Sequence, residues 1–266
     1  MTVPSHLSGL LSVERPQPWA QPGPRWWAVM LACSLGAIVL IDLPIHRALQ
    51  AAPDWLVGAF QAVTWTGDSA FTLVPLGLAG LVTAAAWAGL RGTPGAGGAA
   101  VAGHAIGFLF VAIAGSGVLV NVIKQGVGRS RPVLLDLLDL HGFQPFVFDY
   151  AFQSFPSGHA NTVFAAAVGL GILVPRLRWL FLAAAAVFAT SRVVIGAHYV
   201  GDIIAGGALG YATTLWLRDR MASLGWVFAR RGDGRIGLAP EAQALITGVP
   251  PAPASSRLTG RRAQRM

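Results

Sequence analysis

Three short stretches of an otherwise apolar chain place ionisable side chains where greasy runs end: KQGVGRSRP from Lys124 to Pro132, FPSGHANT from Phe155 to Thr162, and SRVVIGAHYVGD from Ser191 to Asp202. In the first, Lys124 and Arg131 are separated by six residues and Pro132 follows. An ammonium and a guanidinium bind phosphate oxygens through charge-assisted hydrogen bonds, the guanidinium gripping two oxygens at once. The same cluster could equally be long cations reaching from a helix end to lipid headgroups. In the second stretch Pro156 and Gly158 make a turn and Ser157 is placed as a helix cap. A helix starting there aims free backbone N–H groups and the positive end of its dipole at an anion. His159 stands at that lip, where a solvated imidazole is the plain alternative. In the third, Arg192, His198 and Asp202 interrupt apolar sequence, and ionisable groups at such a junction carry a functional expectation. His198 and Asp202 are four apart. On one helix face the carboxylate holds the imidazole's tautomer and orientation, the logic of nucleophilic or acid-base catalysis. A buried structural His–Asp pair is the other reading.

The elements that must position these groups are membrane helices. Of 266 residues 54% are hydrophobic and 11% charged, with mean hydropathy +0.59, too apolar a balance for a soluble domain. A helix crossing the ~30 Å hydrocarbon core needs roughly 20 apolar residues. Six runs qualify: Trp26 to Leu43, Phe71 to Leu90, Val101 to Ile123, Ala160 to Val174, Trp179 to Ile195 and Val200 to Leu217. Continuous apolarity excludes barrel strands, so the expected fold class is all-α, an integral membrane bundle of six transmembrane helices. Small residues such as Gly206, Gly207 and Gly210 let helices approach closely. Residues 1–25 read as a disordered cytosolic tail, 26–217 as the bundle and 218–266 as a basic, largely disordered cytosolic tail. The net charge of +8 is spread over connections and tails, which speaks against nucleic-acid binding. The single cysteine, Cys33, allows no internal disulfide and points to neither a thiol catalyst nor a zinc cluster.

With the N-terminus inside, Arg15, Arg25, Arg91, Arg176, Arg178 and the arginines from Arg218 onward fall on the cytosolic side, as the bias of Lys and Arg requires. Lys124, Arg129, Arg131 and Arg192 then face outward, against that bias. In this topology the end of the third helix, the start of the fourth and the junction of the fifth and sixth share the outer face. There they make a phosphate pocket with a nucleophile and a proton donor.

The three stretches resemble the signature motifs of the type 2 phosphatidic acid phosphatase superfamily: Lys, six residues, Arg-Pro; Pro-Ser-Gly-His; and Ser-Arg, five residues, His, three residues, Asp. All are matched without substitution. The resemblance implies metal-free, cofactor-free hydrolysis of a phosphate ester through a phosphohistidine. His198 would attack phosphorus, Asp202 would orient it and stabilise its positive charge, and His159 would protonate the leaving oxygen. Lys124, Arg131, Arg192, Ser157 and the Gly158 N–H would hold the phosphoryl oxygens. The expected partners are membrane lipids and a phosphorylated lipid substrate: undecaprenyl pyrophosphate, phosphatidylglycerophosphate, phosphatidic acid or phosphorylated lipid A. The expected location is a bacterial cytoplasmic (inner) membrane, with the site facing outward; oligomeric state is left open.

A lipid-phosphate binder or transporter would use the same cations without needing an oriented imidazole. The vanadium haloperoxidases that share the motifs are soluble, which this chain is not expected to be. Arg129 lies outside the motifs, with headgroup contact as one use. The aromatic segment from Val133 to Phe155 reads as an interfacial access wall or a packed cap. His104 and His141 read as structural, and Asp68 as a turn or cap residue.

Overall fold

The computed structural model describes residues 19–230, 236–240, 242 and 244. Its helices are α1 Pro24–Leu40, α2 Asp42–Leu49, α3 Asp54–Thr64, α4 Ser69–Gly89, α5 Gly95–Val127, α6 Pro132–Leu138, α7 Gly158–Leu173, α8 Arg178–Val194 and α9 Val200–Ser223. Each of the six apolar runs became one of the helices α1, α4, α5, α7, α8 and α9, because a helix satisfies its backbone without water. Among the described residues, three stretches are long and apolar enough to cross a membrane, Asp54–Gly89, Gly95–Val127 and Pro175–Val194, and the α1–α2 pair, bent by 56°, makes a fourth. α7 is shorter, and the polar groups on α9 lower its hydropathy.

α7 packs against α5, α8 and α9. Ala160, Val168 and Ile172 are all fully buried, which is why its sequence is apolar on every face rather than along one stripe. α9 presses onto it through glycine. A Cβ at Gly206 would lie 2.2 Å from Ser157 O, and one at Gly210 would lie 2.4 Å from Asn161 O. The outer helices expose Val39, Leu40, Leu81, Val118, Val122 and Val187. So broad an apolar surface is what lipid solvates and water does not. The protein is a predominantly helical membrane bundle.

At the end of the bundle opposite the motifs, the structure moves both expected tail boundaries. α9 runs past Leu217 to Ser223. Strands β1 Phe228–Arg230 and β2 Ile236–Leu238 then pair antiparallel. Phe228 is buried edge-on against Phe108, ring centres 4.8 Å apart, and Trp19, Val227 and Ile236 join the same core. The buried Arg218 donates to Trp19 O at 2.8 Å. These apolar groups cover the ends of α5, α7 and α9, so they fold with the bundle. Residues 1–18 and 245–266, read from sequence as disordered, lie outside the described residues.

Candidate active site

The site is assembled from helix ends. α5 terminates at Gly128, whose φ of +60° only glycine adopts freely; a Cβ there would also meet Gln144 O at 1.8 Å. The turn sends Arg129 to Arg131 across the bundle in extended form. The segment after α6 closes over them: Ser130 N donates to Gly142 O, Arg131 N to Ala151 O, and Ser154 N to Arg129 O. The segment read as an access wall or a cap therefore also builds the pocket floor.

Lys124, buried on the last turn of α5, donates from Nζ to Gln153 O at 2.6 Å. Arg131 donates to the same carbonyl at 3.2 Å, to Tyr150 O at 3.0 Å and to Ala197 O at 3.0 Å. The Tyr150 ring lies beneath its guanidinium, 3.9 Å from Cζ to centroid. Burial lowers the pKa of Arg131, opposed by Tyr150 and Asp202, yet a guanidinium does not lose its proton in any accessible pH range. On α8, Arg192 donates to Thr64 Oγ1 at 2.9 Å. Its buried Nε has no hydrogen-bond partner among the described residues. At the start of α7, Ser157 is buried; its Oγ accepts from Ala160 N at 3.4 Å and its N–H donates to Asp202 O at 3.0 Å. The Ser157 oxygen thus caps the helix, while its O–H proton stays available to donate. Gly158 lies beside Lys124, its Cβ position 4.0 Å from Cε. His159, half-buried, packs under Gly67, where a Cβ would sit 3.1 Å from its Cδ2.

His198 sits in the turn between α8 and α9 with 2% of its surface exposed. Its Nδ1 faces Asp202 Oδ2 at 3.4 Å and its Nε2 faces Arg131 Nη1 at 3.5 Å. A proton on Nδ1, directed at the carboxylate, leaves Nε2 with a free lone pair toward the cations. Burial pushes the imidazole down to about 3, with Arg131 and Lys124 adding to the effect and Asp202 opposing it. The ring is neutral at physiological pH.

Asp202 is fully buried in the first turn of α9. Its Oδ2 also accepts from Ser154 Oγ at 2.6 Å and from Tyr199 N at 3.0 Å, the latter completing a capping box. Its Oδ1 accepts from Arg129 Nη1 at 2.6 Å. Arg129 Nη2 in turn donates to Asp42 Oδ2 at 2.7 Å. Both flanking carboxylates and the guanidinium are excluded from solvent. Asp42 Oδ1 accepts from Gly201 N at 2.9 Å, next to Asp202. Arg129 lies over the Tyr199 ring at 4.3 Å. It touches no headgroup: it is the cation that holds the carboxylate behind His198.

Lys124 and Arg131 share the Gln153 carbonyl, Arg131 faces His198 and His198 faces Asp202, all at one end of the bundle, with Gly158 beside Lys124 and His159 and Arg192 on neighbouring helix ends. Sequence reasoning missed Ser154, Asp42 and Thr64. The arrangement presents a neutral, oriented imidazole nitrogen beside fixed cations, which suits attack on an anionic phosphorus centre. His141 packs edge-on against Tyr199 with ring centres 5.4 Å apart, and His104 stacks face to face on Trp226 at 5.5 Å. Asp68 caps α4 by accepting from Ala70 N at 2.8 Å.

Residues 105–225 match the PAP2 superfamily. The chain is 32% identical over 231 residues to a Lipid A 1-phosphatase of Rhizobium johnstonii, covering 81% of this chain and 94% of that one. A Lipid A 1-phosphatase of Rhizobium etli is 32% identical over 215 residues, 79% of this chain and 92% of the relative. The fold is also similar to the crystal structure of a transmembrane PAP2-type phosphatidylglycerolphosphate phosphatase from Bacillus subtilis, with a TM-score of 0.53 and 22% identity, covering 75% of this chain and 94% of that one.

Proposed function

Because this chain belongs to the PAP2 superfamily and is a lipid phosphate phosphatase, we propose that it works without a metal ion, through a phosphohistidine on His198, at the outer face of a bacterial cytoplasmic membrane crossed by six helices, with both termini in the cytosol. The observation that carries the mechanism is His198 itself, buried and neutral, with Nδ1 turned to Asp202 and Nε2 turned to Arg131.

In the first step the Nε2 lone pair attacks phosphorus while Lys124, Arg131, Arg192 and the Gly158 N–H hold the non-bridging oxygens. A P–N bond forms and the P–O bond to the lipid breaks. His159 takes up a proton from solvent once the negative phosphate is bound beside it, and gives that proton to the leaving oxygen. Asp202 stabilises the imidazolium created by attack, and Arg129 keeps that carboxylate in place. In the second step a water oxygen attacks phosphorus, neutral His159 takes its proton, and the P–N bond breaks to release phosphate and restore His198. Ser157 contributes by capping α7, so that its N–H groups face the anion.

The substrate we favour is phosphorylated lipid A carrying the 1-phosphate, on the strength of relatives with that name that align over nearly their whole length. His198→Ala is expected to abolish phosphate release from dispersed lipid A while the protein still folds. An acid-labile radiolabelled phosphoprotein should be trapped in the wild type and be missing from this variant. Retained turnover in His198→Ala would remove the mechanism, and a panel setting lipid A against phosphatidic acid, phosphatidylglycerophosphate and undecaprenyl pyrophosphate ranks the substrates. Turnover without any trapped phosphoprotein would favour direct attack by water.

A further inference from the structure

An apolar groove of about 150 Å³ runs between α4, α7 and α8, and the proposed chemistry does not use it. Its α7 wall is Thr162, Val163, Ala166, Ala167 and Leu170, the continuation at helical spacing of the stripe that begins with His159. Its α8 wall is Phe181, Ala184, Ala185 and Phe188, and the same stripe continues upward to Ser191 and Arg192. Thr72, in the first turn of α4, closes the third side. At the top Gly67 covers both His159 and Val163, its Cβ position 3.1 Å from one and 3.3 Å from the other. Both walls therefore end on groups of the phosphate site.

We propose that this groove seats an acyl chain of the phosphorylated lipid, on the side of the leaving alcohol; the inference rests on the lipid-phosphatase reading above. The polarity of the lining argues for hydrocarbon, since no charged side chain among the described residues lines the groove and only Thr72 and Thr162 among its walls carry a polar group. Depth argues for a lipid chain rather than a small apolar molecule. From Thr162 to Leu170 the α7 wall of the groove descends about 12 Å, most of the depth of one leaflet in a ~30 Å hydrocarbon core. Position argues for the leaving group. His159 tops one wall and would protonate the departing oxygen, while Arg192 tops the other and would hold phosphate. A chain in the groove fixes the scissile bond between them. Binding energy from a remote part of the substrate is thereby turned into orientation at phosphorus.

Ala184→Phe and Ala166→Phe each fill the groove without touching the phosphate site. Phosphate release from lipid A and from dipalmitoyl phosphatidic acid is to be measured in detergent, together with inhibition by orthovanadate, which probes the phosphate site alone. For each lipid the wild type cleaves, kcat/KM is expected to fall about tenfold or more in both variants, with inhibition by orthovanadate unchanged; Ala184→Ser should keep the wild-type rate. Undiminished lipid turnover in the Phe variants overturns the proposal. So does a parallel loss of orthovanadate inhibition in both, which would mark distortion rather than exclusion of a chain. A wild-type protein that releases phosphate from neither lipid removes the phosphatase reading itself, a result distinct from the other two.

Discussion

Burial holds His198 neutral, and this has a consequence for stability. In the unfolded chain the imidazole takes up a proton below pH 6.5, whereas in the fold it does so only near 3. Protons are bound preferentially by the unfolded state between these values, so stability present above pH 6.5 is lost as the pH falls toward 3. At pH 5 the loss is about 2 kcal/mol. Thermal unfolding in detergent at pH 7.5 and pH 5 is expected to show a smaller loss on acidification in His198→Gln than in the wild type. Behind His198, Arg129 bridges two buried carboxylates, Asp42 and Asp202. Asp42→Asn frees one side of the bridge, and breaking a buried pair of this kind costs about 3–5 kcal/mol. Because Asp42 acts through Arg129 on Asp202, kcat should fall about tenfold or more with KM for lipid A little changed. An equal loss in both parameters, or none in kcat, would reduce Asp42 to a purely structural group. Sequence made the motif side chains legible because phosphate chemistry demands those residue types at those spacings. Asp42 was half-legible. An acidic group inside an apolar run is itself a signal, but its partner lies 87 residues away in sequence. Ser154 carries no such signal, and its bond to Asp202 exists only because the segment after α6 folds back.

At the scale of elements, the close contact of α7 and α9 sets the distance between the second and third motifs. Gly206 lets the α9 backbone approach Ser157 O and Gly210 lets it approach Asn161 O. Ser157 N can then donate to Asp202 O. Gly206→Ala has no flexible neighbour to displace, since the obstructing atoms are backbone. It is expected to cost about 3 kcal/mol and to lower the unfolding temperature in detergent, with phosphate release falling further than the folded fraction does. A variant with wild-type stability would show that the helices part without strain. The glycines were visible in sequence as a close-packing face; which helix they would meet was not.

For the whole molecule, the open quantity is which way the site faces. The tyrosine and phenylalanines after α6, exposed at Phe146, Phe148 and Tyr150, and Leu138, 68% exposed at the end of α6, lie on the same face as Arg131. The chain's single cysteine, Cys33, permits a clean test. In a Cys33→Ser background, Leu138→Cys is expected to react with a membrane-impermeant maleimide added to intact spheroplasts. Protection until the membrane is broken would reverse the proposed orientation.

Local chemistry and hydropathy are enough to read the helical membrane class, the three motifs and their grouping at helix ends, since each depends on residue type and short spacing alone. Folding decided the rest. Only packing could bring Asp42 to Arg129, lay Ser154 on Asp202, or fold the hairpin at Phe228 under Phe108. Only packing could leave α4, α7 and α8 apart along a groove. These contacts join residues far apart in sequence, and their energies come from burial and close approach, which no local pattern encodes.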